Sequence, residues 1–107
     1  MTFEQLLTAL KGTGIPFTAY RWDKAPAAPY GTAQLEGGAE SAGGDDSIIY
    51  QSVRGSIDLY APSHSSTWPQ AVQQAINGCV AWRLNSVQYE DAPRLVHYEW
   101  LFEMEGL

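Results

Sequence analysis

Arg94-Leu95-Val96-His97-Tyr98-Glu99-Trp100-Leu101-Phe102-Glu103-Met104-Glu105 is the stretch that decides the fold. Successive side chains of an extended chain point to opposite sides, so Val96, Tyr98, Trp100, Phe102 and Met104 share one face while His97, Glu99 and Glu103 share the other. Such alternation predicts a long strand with one face on a core and one face toward polar surroundings.

Working back from it, Glu90-Asp91-Ala92-Pro93 reads as a turn, and Val80-Ala81-Trp82-Arg83-Leu84 with Ser86-Val87-Gln88-Tyr89 reads as a fourth strand region. Ser47 to Tyr60 alternates again, with Ile49, Val53, Ile57 and Leu59 on one side and Tyr50, Ser52, Arg54, Ser56 and Asp58 on the other. Tyr30 to Glu36 predicts a further strand. A short first strand is expected over 16–21, where Pro16 suits a strand start and not its centre. Between these two, Asp23-Lys24-Ala25-Pro26-Ala27-Ala28-Pro29 is a connector whose pre-proline residues are pushed extended. Gly37 to Asp46 holds four glycines and three acids with no bulky apolar group. It buries too little to offset ordering entropy, and a mobile hairpin loop is expected there.

Two helices complete the pattern. Thr2-Phe3-Glu4-Gln5 has the form of a capping box, Phe3, Leu6, Leu7 and Leu10 repeat at helical spacing, and Gly12-Thr13-Gly14 offers a left-handed exit, giving a helix over 2–11. Ser66 or Thr67 caps a second helix that tolerates Pro69 in its first turn. It carries Trp68, Val72, Ala75, Ile76 and Cys79 on one face, glutamines opposite, and Asn77-Gly78 as the stop. The order αβββαββ predicts an α+β fold, an antiparallel sheet with two helices on one side.

The chain has 107 residues, 45% of them apolar and 17% charged, which suits one domain spanning 1–107. Acidic residues outnumber basic ones twelve to six, and the basic ones are scattered singly. That lacks the footprint of a nucleic-acid binder. The single Cys79 forms no intramolecular disulfide, and with only His64 and His97 beside it no zinc cluster of the usual spacing is built, pointing to a cytoplasmic compartment. No apolar run reaches membrane-spanning length. Met1-Thr2-Phe3-Glu4 lacks the basic start of a signal peptide, so the mature chain is expected to begin here.

Residues with chemical potential read as structural. His64 stands in the turn Ser63-His64-Ser65-Ser66 without a nucleophile elbow. His97 is expected to pair with a carboxylate across strands. Glu99, Glu103 and Glu105 share a strand face and, with His97, are the one grouping a small metal- or substrate-dependent enzyme could use, but convergent ligands from other segments are not announced. Asp45-Asp46 lacks the spacing of a calcium loop, and Gly37-Gly38 with Gly43-Gly44 lacks the Gly-Lys-Ser/Thr of a phosphate loop. Cys79 reads as a small hydrophobe. No catalytic residue, cofactor site or metal site is expected. Four tryptophans and six tyrosines exceed what one small core readily buries, so some aromatic residues are expected at an interface.

Pro16-Phe17-Thr18-Ala19-Tyr20, Ala25-Pro26-Ala27-Ala28-Pro29-Tyr30-Gly31, the Asp45-Asp46 to Tyr50 step, Gly55-Ser56-Ile57-Asp58-Leu59-Tyr60 and Val96-His97-Tyr98-Glu99-Trp100 together resemble the tail-terminator or tail-completion (head-tail joining) proteins of long-tailed bacteriophages and prophages. The likeness runs from about Ile15 to Glu105. It implies a structural virion protein that catalyses nothing and assembles into a homo-oligomeric ring, hexameric in the family, at the head-proximal end of the tail tube. There the ring would end tube growth and join the tail to the neck. Its partners would be further copies of itself, the tail tube protein and a neck or connector protein, with DNA passing through without tight binding. The implied location is the virion, with assembly in the host cytoplasm. Trp22, Tyr30, Asp45, Asp46, Tyr50 and Tyr60 are the interface candidates. Another neck or tail-tube component, or a plain interaction module, is the alternative. The second helix carries glutamines where related chains often carry acids, so a charged contact there does not transfer.

Overall fold

The computed structural model describes residues 1–38, 52–91 and 94–106. Seven elements follow in the order α1 (Phe3–Lys11), β1 (Phe17–Ala19), β2 (Tyr30–Gly38), β3 (Ser52–Ala61), α2 (Thr67–Ile76), β4 (Ala81–Asp91) and β5 (Arg94–Glu105). The expected α+β fold is present. Gly37 and Gly38, expected to open the loop of 37–46, instead extend β2 opposite Arg54 and Val53; the rest of that loop lies outside the described residues, as do Ile49 and the start expected for the long strand.

The five strands form one sheet in the order β1-β2-β3-β5-β4. β2, β3, β5 and β4 are antiparallel neighbours. The first strand corrects the expectation of a purely antiparallel sheet, because β1 pairs parallel with β2 through Phe17–Gly31, Thr18–Thr32 and Ala19–Ala33. A connector as long as 20–29 lets the chain cross back and re-enter in the same direction, which a tight hairpin cannot do.

The capping box of α1 forms as its sequence predicts: Gln5 N–H donates to Thr2 Oγ1 at 3.1 Å and Thr2 N–H to Gln5 Oε1 at 2.9 Å. The left-handed residue after α1 is Gly14, at φ 86°, while Gly12 stays right-handed. For α2, Ser66 takes the N-cap position but its side chain makes no cap bond. Ser65 Oγ accepts from Thr67 N–H instead, at 3.2 Å. Gly78, at φ 82°, supplies the turn after the helix.

One face of the sheet carries both helices. Leu6 and Leu10 of α1 and Val72 and Ile76 of α2 cluster with Val53, Ile57, Leu59 and Ala61 of β3 and with Val96, Tyr98, Trp100, Phe102 and Met104 of β5. The alternation of β5 is therefore realised with the predicted face inward. Trp100 is fully buried, and its indole N–H donates to Gln73 Oε1 at 3.1 Å. Gln73 thus departs from the expectation that the α2 glutamines lie opposite the apolar face. A buried indole N–H needs an acceptor, and a glutamine supplies one without burying a charge. Among the described residues, no helix is long and apolar enough to cross a membrane.

Candidate assembly surface

The face without helices is built by the outward residues of β2, β3, β5 and β4. Tyr30, Tyr60, His97 and Gln88 form one row across it, each pairing in register with the next. Their rings stack. Tyr30 and Tyr60 have centroids 5.2 Å apart at 17°, and Tyr60 and His97 have centroids 4.3 Å apart at 18°. Two interface candidates read from the sequence are thus brought together, with His97 as an unforeseen third member.

His97 sits between carboxylates on two neighbouring strands. Its Nε2 is 2.6 Å from Asp58 Oδ1 on β3, and its Nδ1 is 3.5 Å from Glu90 Oε2 on β4. The cross-strand carboxylate expected for His97 is therefore Asp58. The hydrogen bond to Asp58 holds the imidazole above its ordinary pKa of 6.5, against partial burial, and the negative fields of Asp58, Glu90 and Glu99 act in the same direction. With its two ring nitrogens facing acids on β3 and β4, His97 links three neighbouring strands. Next to it, burial first and then the Asp58 and Glu90 charges push the Tyr60 hydroxyl up to about 12.

The grouping of His97, Glu99 and Glu103 around a cation does not form. His97 faces Asp58 and Glu90, and Glu99 accepts from Asn85 Nδ2 at 2.7 Å. Among the described residues, no three His, Cys, Asp or Glu side chains are grouped to hold a metal ion. His64 is exposed in its turn, as expected. Farther along the helix-free face is an open hollow of about 530 Å³, whose lining includes Glu36, Arg54, Arg83, Leu101 and Glu103.

Trp22 is half-buried, and its indole N–H donates to the Gly31 carbonyl at 3.0 Å. Asp45, Asp46 and Tyr50 lie outside the described residues. Among the described residues, the most exposed large apolar side chains are elsewhere. Leu84, Val87 and Tyr89 on β4 are 45%, 46% and 62% exposed, and Tyr20 beyond β1 is 54% exposed.

Sequence reasoning missed the β4 group for a geometrical reason. Leu84 and Val87 are three residues apart, so strict alternation puts them on opposite faces. The irregularity between Leu84 and Ser86 inserts one residue, and Leu84, Val87 and Tyr89 then pair with Trp100, Tyr98 and Val96, all on the helix side. There they extend past the helices at the margin of the sheet. β4 is also an edge strand, so its outer backbone groups have no strand partner among the described residues. A long edge with exposed apolar side chains is a template for another chain. No family model matches this chain, and no curated protein matches it significantly.

Proposed function

We propose that this protein is a structural subunit of a phage tail, closing with copies of itself into a ring at the head-proximal end of the tail tube, where it ends tube growth and meets the neck. The observation that carries this reading is β4, an eleven-residue edge strand bearing Leu84, Val87 and Tyr89 uncovered on one side. A monomer that kept such an edge in water would invite aggregation, and proteins of this kind normally charge it, shorten it or cover it.

The resemblance adds a second support. Two of the segments that carry it, Gly55–Tyr60 and Val96–Trp100, are adjacent central strands, with Ile57 opposite Trp100 and Leu59 opposite Tyr98. Part of the likeness therefore falls on the central strands of the sheet. The acidic balance, with a formal net charge of -6, suits a lumen through which DNA slides without adhering.

Native mass spectrometry and negative-stain imaging of the purified chain, alone and with the tube protein of the same phage or prophage, test the reading. Closed rings of one size, capping tube ends, are the expected result. A strictly monomeric species that leaves tube length unlimited would refute it.

A further inference from the structure

Two adjacent rows of the sheet end, at both margins, in side chains that complement each other. One row runs Ala33, Ile57, Trp100, Leu84 across β2, β3, β5 and β4, and the next runs Gln34, Ser56, Leu101, Arg83. At the β4 margin they present exposed Leu84 on the helix side and exposed Arg83 on the helix-free side. At the far margin, Tyr20 N–H donates to the Ala33 carbonyl at 2.8 Å, which sets Tyr20 beside the first row. Its ring lies 6.2 Å from that of Phe3 on α1, on the helix side. Gln34 Nε2 donates to Glu36 Oε2 at 3.3 Å, which keeps Glu36 on the helix-free face two residues beyond the second row, in the hollow it shares with Arg54. An apolar and a cationic group therefore stand exposed at one margin, and an aromatic and an anionic group at the other, on matching faces; Glu36 lies nearer the rows of Ala81 and Trp82 than that of Arg83, and both charged residues border the hollow.

The backbone is open at both margins as well. β1 pairs with β2 only from Gly31 to Ala33, so the outer edge of Gln34–Gly38 has no strand partner among the described residues. β1 stops because the chain turns at Tyr20: Arg21 N–H donates to the Ala19 carbonyl at 2.8 Å, and Tyr20 takes φ 67°, a region that non-glycine residues seldom enter. β4 runs opposite in direction to β2, since β2, β3, β5 and β4 alternate. A neighbouring copy placed in line would thus bring its β2 antiparallel to β4.

We infer that β4 of one copy pairs with the Gln34–Gly38 edge of the next copy, with Leu84 against Tyr20 and Arg83 against Glu36. This deepens, and rests on, the ring reading. A two-fold contact through β4 alone would leave the Tyr20 and Glu36 margin of both copies uncovered. A head-to-tail contact covers both margins and repeats, which is the geometry that closes into rings.

Disulfide trapping tests it, in a Cys79→Ser background with the tube protein present. Positions 36 and 83 sit at opposite margins of the sheet, roughly three strand spacings or about 14 Å apart, beyond the reach of a disulfide within one chain. Glu36→Cys combined with Arg83→Cys is expected to oxidise to a ladder of cross-linked species ending at the ring size, while each single variant stays uncross-linked. A covalent dimer from Arg83→Cys alone would show a two-fold β4 contact and overturn the inference. Rings from the unmodified chain without cross-linking in the double variant would overturn it while sparing the ring reading. A chain that stays monomeric throughout would sink both. As a second readout, Arg83→Glu should reduce assembly at least tenfold and Glu36→Lys in the same chain should restore it; no restoration counts against the pairing.

Discussion

His97 Nε2 and Asp58 Oδ1 meet at 2.6 Å on a diagonal between β3 and β5, where Tyr60 is the directly opposed partner of His97 and Glu99 that of Asp58. A diagonal contact of this length draws the imidazole across the face and under Tyr60, leaving its other nitrogen toward Glu90 on β4. One residue thereby ties the edge strand to the centre of the sheet.

Because folding raises the His97 pKa above 6.5, the folded chain holds this proton more tightly than the unfolded chain. The stabilisation is complete below that unfolded value and is lost as pH rises through the raised folded value. Urea midpoints should therefore fall as pH rises above about 6.5, and His97→Gln should flatten the profile. An unchanged wild-type midpoint over that rise would contradict this tie between strands.

Tyr60 has the same sign at higher pH. Its hydroxyl is held neutral up to about 12, so an unfolded tyrosine ionising near 10 releases its proton first, and stability declines between those values. Spectrophotometric titration of the folded protein should show one late phenolate, absent in Tyr60→Phe. Loss of an early phenolate in that variant would be the opposing result.

Trp100 is the largest side chain fully enclosed by both helices and the sheet. Trp100→Ala should cost about 3–5 kcal/mol by urea denaturation, through lost contacts and the cavity left behind. Gln73→Leu is the finer probe, since it strands the indole N–H without opening a cavity, and about 1–3 kcal/mol is expected. Near-wild-type stability of Gln73→Leu would show that the indole finds another acceptor.

Gly55 is the close-approach point of the central strands. A Cβ there would collide with the Gln34 carbonyl oxygen and meet Phe102 Cζ at 2.7 Å. The backbone cannot give way without breaking the β2–β3 pairing, so Gly55→Ala should destabilise by at least about 1–3 kcal/mol. A thermal midpoint equal to wild type would mean that the sheet relaxes freely at this position.

Val87→Lys and Tyr89→Asp separate assembly from folding. Both side chains are exposed, so monomer stability should change by no more than about 0.5 kcal/mol. Ring formation, measured by light scattering with tube protein present, should nonetheless be lost. Rings persisting in both variants would move the interface away from β4.

The apolar faces of β5, β3 and α1 were legible in the residues themselves. Val96, Tyr98, Trp100, Phe102 and Met104 alternate without interruption, and Thr2 with Gln5 announces a helix start, because these are local periodicities that burial then reinforces. The interface residues were not legible in the same way. Tyr30 and Tyr60 could be suspected from their surplus, but their stacking with His97 needs strands thirty or more residues apart in the chain to be set in register. Leu84, Val87 and Tyr89 escaped because an inserted residue breaks the alternation that would have revealed them.

By itself, then, the sequence determined the α+β class, the inward faces of β3 and β5 and the start of α1, since each depends on side-chain spacing along a few turns or pairs. Only the tertiary structure decided that β1 enters parallel, that β4 is the margin of the sheet, and that Tyr20 and Glu36 lie toward the margin opposite Leu84 and Arg83. Strand order and level are set by long-range pairing and loop closure, and no local pattern of residues encodes which edge is left without a neighbour.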